Sequence, residues 1–230
     1  MTSASVAGLA LLALPVAFNA AFAALSSSFD YPDILRRPTS EVLARFRAGG
    51  TRLVLTWWVF TLTAVALAPV AVVLAAALRG ANETLLVTGA TFGVLAALVQ
   101  FLGLVRWPFL VPHLARVDAD PESSESRREA VDVVFQAFHR YLGVAVGEHL
   151  GYLFTGVWTV LVGTAITQTS VGPAWLGIAG IVVGAVLALC SLEFVGPAER
   201  TGWRLAGAST PIAYVAWSVW LLGVGVALVA

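Results

Sequence analysis

Long apolar runs separated by short polar segments set the pattern of this chain. A helix needs roughly 20 mostly apolar residues to cross the hydrocarbon core of a bilayer. Six windows meet that need: Val6–Leu25, Leu53–Leu78, Leu85–Val105, Leu142–Ile166, Ala174–Leu192 and Leu205–Val229. They predict an all-α polytopic membrane bundle, a single integral membrane domain over residues 1–230. Between the windows lie segments 26–52, 79–84, 106–141, 167–173 and 193–204.

Composition points the same way. The chain is 59% hydrophobic and 11% charged, against about 25% charged in a soluble domain, too little polar surface to face water on all sides. The net charge is zero, so no global field draws nucleic acid. The single cysteine, Cys190, excludes an intrachain disulfide and a cysteine-rich metal site.

Charge placement predicts the orientation. All thirteen basic residues are arginine, and every one except Arg79 falls in segments 26–52, 106–141 and 193–204. By the positive-inside rule these segments are cytoplasmic, which places both termini outside a cell membrane crossed six times. Ala21-Phe22-Ala23 resembles a signal-peptidase site. No basic residue precedes the first apolar run, however, and cleavage would strand the arginines of 26–52 outside, so the run is expected to be kept as a span.

Trp107, Trp175 and Trp203 fall at span ends, where an amphipathic ring suits the headgroup layer. Trp158, Trp217 and Trp220 lie deeper, as helix-packing residues whose indole N–H groups need acceptors.

The arginine-bearing segments carry local structure of their own. In the first, Ser40 is placed to cap a short helix, EVLARFRA, ended by Gly49-Gly50. Leu43 and Phe46 would share its face against an anionic leaflet. In the second, Pro108 and Pro112 argue against a regular helix through RWPFLVPHLAR. The acidic DADPESSES reads as a solvated linker, and Ser126 with Glu129 forms a capping box that starts a helix near Arg127. That helix would continue to Ile166, about 60 Å at 1.5 Å per residue, twice the hydrocarbon thickness.

The candidate chemistry lies on this fourth spanning helix, in FHRYLGVAVGEHLGYLFTG, residues 138–156. Gly143, Gly147 and Gly151 recur every fourth residue, a ridge of small residues for close helix packing or a homo-oligomer, with Gly89/Gly93 and Gly180/Gly184 as matching ridges. Counting about 100° per residue from Gly143, Thr155, Glu148, Thr159 and Tyr152 fall between about 120° and 180°, with Tyr141 at about 160°. These residues form a polar stripe beside the ridge. His149, at about 240°, points to another sector. His139 lies about 15 Å before His149 along the axis, so the two cannot share a metal ion on a straight helix. His113 reaches only His139, and no metal site is expected.

A carboxyl near the midplane costs on the order of 3 kcal/mol, so Glu148 points by default to a proton, ion or ligand pathway. No arginine is expected at its depth, and Asn19 or Gln100 would be its partner in a purely structural role. No nucleophile–base pair, glycine-rich phosphate loop or second carboxylate accompanies it, and no catalytic residue is assigned.

FDYPDILRRPTSEVL, RWPFLVPHLAR and FHRYLGVAVGEHLGYLFTG resemble segments of prokaryotic multi-pass membrane proteins of domain-of-unknown-function family 4386. The resemblance implies a six-span protein and carries no activity or site.

Three functions compete. In a small transporter or permease-like protein, Glu148, Tyr152, His149 and Thr155 would line a proton or solute route. A non-catalytic membrane partner would work through its glycine ridges and arginine-rich face. A redox protein would hold haem or quinone, with His149 as the axial ligand of a haem.

Overall fold

Thr2 opens the first helix, its hydroxyl accepting a hydrogen bond from the Ser5 amide at 3.2 Å. This satisfies one of the amides that a helix N-terminus leaves without an internal partner. The helix, α1 (Ser3–Phe29), ends at Asp30 in the left-handed conformation, φ 59°. Next come α2 (Thr39–Ala77), α3 (Glu83–Phe109), α4 (Val111–Ala119) and α5 (Glu125–Phe138). A π-helical segment (His139–Leu150) leads into α6 (Gly151–Thr167), followed by α7 (Ala174–Cys190) and α8 (Arg204–Val229). The computed structural model describes residues 2–230, and no β-strand occurs among them.

Six helical runs are long and apolar enough to cross a membrane, including the 43-residue run Glu125–Thr167 that joins α5, the π segment and α6. Each spanning helix packs on the next: α1 on α2, α2 on α3, α3 on α6, α6 on α7 and α7 on α8, and α8 returns to α1. The spans therefore form a ring. Its outer face carries Leu9, Val16, Val87, Ile212 and Val219, all more than half exposed. Such an apolar exterior suits lipid, where helices satisfy their own backbone hydrogen bonds. The protein is a multi-pass membrane bundle.

Two clusters fill the ring. Leu11, Leu74, Trp158, Trp220 and Leu221 pack together in the half where α1 begins. Phe29, Phe46, Trp57, Trp107 and Phe135 pack together at the other end, where the arginine-bearing segments gather.

At the arginine-bearing end the chain is more helical than its prolines and glycines suggest. α3 runs through Pro108 to Phe109, the break is confined to Leu110, and Pro112 sits in the first turn of α4, where a missing amide proton does no harm. RWPFLVPHLAR is therefore almost wholly helical, and Arg106, expected in a loop, is carried into the bundle. Gly49-Gly50 kinks α2 instead of ending it: Gly50 takes φ 55°, ψ −153°, and the helix resumes into its span. α2 begins behind Pro38 without a side-chain cap, so Ser40 is not its cap. Ser124, not Ser126, caps α5, accepting from the Arg127 amide at 3.3 Å. Leu43 and Phe46 do share a face, but it is buried with Trp107, Val111 and Leu114 of the same chain rather than laid on a leaflet.

The tryptophans divide differently from their expected depths. Trp175 and Trp203 are exposed near helix ends, but Trp107 is buried and stacks on Trp57 with ring centroids 4.4 Å apart. Trp217 donates to the Thr159 hydroxyl and Trp220 to the Leu176 carbonyl, both at 2.9 Å. The Trp158 indole finds no acceptor among the described residues.

Close backbone approach is concentrated between α6 and α7. A Cβ on Gly156 would lie 2.6 Å from the Gly184 carbonyl oxygen, and one on Gly163 would lie 2.6 Å from that of Gly177. The expected pairing of the Gly143 ridge with Gly89/Gly93 and Gly180/Gly184 does not form. Gly93 instead makes room for Ala71 and Trp158, and Gly180 for the Trp220 ring.

Candidate functional site

The Gly143 ridge lies against α3 of its own chain. Gly147 meets Gly103 backbone to backbone, where a Cβ on Gly103 would be 2.7 Å from the Gly147 Cα, and Gly151 meets the Gln100 side chain. At Gly143 the neighbour is the Arg106 guanidinium, whose Nη2 would lie 2.6 Å from an added Cβ. The absence of a side chain at 143 is what leaves room for the guanidinium between the two helices.

Arg106 is only 9% exposed. Its guanidinium donates to the Gly103 carbonyl and, at 3.4 Å, to His139 Nδ1, and it lies 5.4 Å from the Trp107 ring centroid. Because an arginine can only donate, His139 Nδ1 is the acceptor here and the imidazole proton resides on Nε2. No carboxylate among the described residues lies within ion-pairing distance of Arg106. It is a buried cation without a contact counter-ion.

From Arg106 a chain of ring contacts runs through the bundle to α8 and α6. Trp107 stacks on Trp57, which meets Tyr31 edge-on at 5.0 Å. Tyr31 borders Phe60, Phe60 borders Phe18, and Phe18 leads to Tyr214 on α8 at 6.1 Å. Tyr214 meets Tyr152 edge-on at 5.4 Å. Tyr152 is one helical turn beyond Glu148.

Tyr31, Glu148, Tyr152 and Tyr214 are each half-buried. Neither the Glu148 carboxyl nor the three tyrosine hydroxyls has a hydrogen-bond partner among the described residues.

The expected site residues separate. Glu148 and Tyr152 are half-buried, their side chains unbonded among the described residues. Thr155 is fully buried, accepting from Gln100 Nε2 at 3.0 Å, and its carbonyl takes the Thr159 hydroxyl at 2.7 Å. Thr155 and Thr159 thereby tie α3, α6 and α8 together. His149 donates from Nδ1 to the Ser191 carbonyl at 2.8 Å, fastening the π segment to the end of α7. Neither proposed partner of Glu148 reaches it: Gln100 bonds Thr155, and Asn19 bonds the Ser218 hydroxyl at 2.9 Å and the Pro15 carbonyl. Tyr141, placed in the Glu148 sector, is 69% exposed. Between Tyr141 and Glu148 the chain is π-helical, with i→i+5 bonds, so a count at the α-helical angle misplaces it.

On the arginine-bearing side a cleft of about 320 Å³ is bounded by Arg36, Glu193, Trp203 and Arg204. Arg106, Tyr31 and Tyr214 were not expected at the site. Arg106 follows directly on the third apolar window, and the two tyrosines are distant in sequence, joined to Glu148 only by the ring of helices.

No curated protein and no solved structure matches the chain. Residues 6–225 match the family described as Domain of unknown function (DUF4386), a region that holds Arg106, Glu148, Tyr31, Tyr152 and Tyr214. The chain belongs to the DUF4386 family.

Proposed function

We propose that the protein is a small proton-linked carrier whose solute chamber is the space enclosed by Tyr31, Arg106, Glu148, Tyr152 and Tyr214. One observation supports this reading above the others: the carboxyl of Glu148 and the phenols of Tyr31, Tyr152 and Tyr214 lie half-buried in a membrane bundle with no hydrogen-bond partner among the described residues. Intramembrane ionisable groups facing a bundle interior mark ion and proton routes. In this reading the Arg36–Arg204 cleft is the entrance, and the packed Trp158, Trp217 and Trp220 cluster closes the other end. Glu148 takes and releases the proton, and the tyrosine hydroxyls orient the solute.

The test uses proteoliposomes loaded with a pH-sensitive dye, held under a pH gradient and exposed in turn to small organic acids, amines and neutral solutes. Protein-free vesicles give the baseline. At least one solute is expected to collapse the gradient with the wild-type protein and to lose that effect with Glu148→Gln. Equal traces for wild type, variant and empty vesicles across the panel would remove the carrier reading.

A further inference from the structure

We infer that the cleft bounded by Arg36, Glu193 and Arg204 binds a phospholipid with a primary-amine headgroup, its phosphate held by the two arginines and its ammonium by Glu193. The inference rests on the cleft alone and holds whether or not the chain carries a solute. In a carrier, a lipid seated there would compete with solute at the entrance.

The argument begins with charges that share a cleft without pairing. Arg36 comes from the connection between α1 and α2, Glu193 from the turn after α7, and Arg204 opens α8. Packing of α1 on α8 and of α8 on α7 gathers the three around one space of about 320 Å³. No ion pair joins Glu193 to either arginine, and neither its carboxyl nor the Arg204 guanidinium has a partner among the described residues. Arg36 meets only Asp33, at 2.6 Å through Nη1. The position of the carboxyl is fixed by packing. A Cβ on Gly207 would lie 2.6 Å from Glu193 Oε1, and one on Gly202 3.4 Å from it. The connector is folded back onto Glu193 by the bond from the Trp203 amide to its carbonyl, 2.7 Å. Within this cleft a bare anion meets the Glu193 carboxylate, and a bare cation meets two guanidiniums. Opposite charges held apart around one space suit a ligand that carries both.

The surroundings give that ligand a tail. Trp203, 43% exposed on the cleft wall, has the amphipathic ring that suits the headgroup layer. Ala208 also lines the cleft, and from it an exposed apolar stripe, Ala208, Ile212, Val215 and Val219, runs along one face of α8. A soluble zwitterion makes no use of the stripe, whereas acyl chains can lie along it while the headgroup turns into the cleft. Guanidiniums fork onto phosphate oxygens, and basic pockets between spanning helices hold lipid headgroups at this surface. A primary ammonium brings N–H donors for the Glu193 carboxylate, which a quaternary ammonium lacks.

Native mass spectrometry of the full chain in detergent tests the inference without a gradient. The probes are phosphatidylethanolamine, phosphatidylglycerol and phosphatidylcholine with the same dioleoyl chains, and O-phosphoethanolamine as the free headgroup. Phosphatidylethanolamine is expected to bind at least about fivefold more tightly than either other lipid. It should also exceed O-phosphoethanolamine by at least about tenfold, because only the lipid has chains to bury. Glu193→Gln should abolish the preference among the lipids, and Arg204→Gln should weaken phosphatidylethanolamine by at least about fivefold, with helix content checked by circular dichroism. Thr201 is exposed on the cleft wall, so Thr201→Trp fills the cleft from outside the core and should also abolish the preference, even should the charge variants not fold. The inference is overturned if the three lipids bind alike, if phosphatidylglycerol or phosphatidylcholine binds more tightly, or if a folded Glu193→Gln or Thr201→Trp keeps the wild-type preference. O-phosphoethanolamine binding as tightly as the lipid would overturn it too, and assign the cleft to a soluble zwitterion. The lipid preference without solute-driven proton movement would keep this inference and remove the carrier. Proton movement without the preference would do the reverse.

Discussion

Arg106 and Gly143 make a single unit of two residues 37 positions apart in the chain. The guanidinium fills the volume that a side chain at 143 would take, so the pair is coupled sterically. Gly143→Ala should cost about 1–3 kcal/mol, the range for a methyl forced into a packed interior. Equilibrium unfolding in SDS gives that cost. If the clash is with Arg106, the penalty should fall by more than about 0.5 kcal/mol when alanine is introduced at 143 in an Arg106→Ala background. A penalty unchanged in that background would place the clash elsewhere. Glu148 stands out in the sequence because a carboxyl is rare in an apolar run. The burial of Arg106 does not, because it directly follows an apolar window and beside Pro108 reads as loop. The hydrogen bonds of His149 to the Ser191 carbonyl and of Thr155 to Gln100 depend on packing between helices, which no local pattern encodes.

The π segment is the element on which the site depends. It carries Glu148 and presents its glycines to α3, and its end is pinned by the bond from His149 to Ser191. π-helical bonding is rare beyond a single turn and marks functional positions in many helices. Two glycines lower its intrinsic stability further. Amides of 139–150 should therefore exchange with deuterium at least about tenfold faster than those of 151–167 in the solubilised protein, a local difference of about 1.4 kcal/mol. Equal protection would show the run to be one uniform helix. Existence and approximate bounds of the spans were legible from hydrophobic runs, since lipid demands long apolar helices whatever their packing. The change of winding was not, because FHRYLGVAVGEHL satisfies the α-helical pattern equally well. The short helices at the arginine-bearing end were obscured for another reason. Their prolines lie beside helix ends and their glycine at a kink, positions where such residues are tolerated.

The whole molecule is an asymmetric ring, packed with tryptophan and leucine in one half and with phenylalanine and tryptophan around the buried Arg106 in the other. The arginines follow that asymmetry. With Arg106 drawn inside, every other arginine except Arg79 belongs to the same end of the bundle. Segments 26–52 and 106–141 are short enough for their charges to govern insertion, so the Arg36–Arg204 cleft should open to the cytoplasm. The buried Cys190, 2% exposed, lets single introduced cysteines report on this directly. Glu122 is exposed in the turn between α4 and α5, and Ser170 is exposed in the opposite loop, next to the bond from the Asn82 amide to Gln168. In right-side-out membrane vesicles an impermeant maleimide should label Ser170→Cys at once, and Glu122→Cys only after the membrane is opened. The reverse pattern would turn the bundle over, place the Arg36–Arg204 cleft outside, and make the proposed carrier one that meets its solute in the external medium.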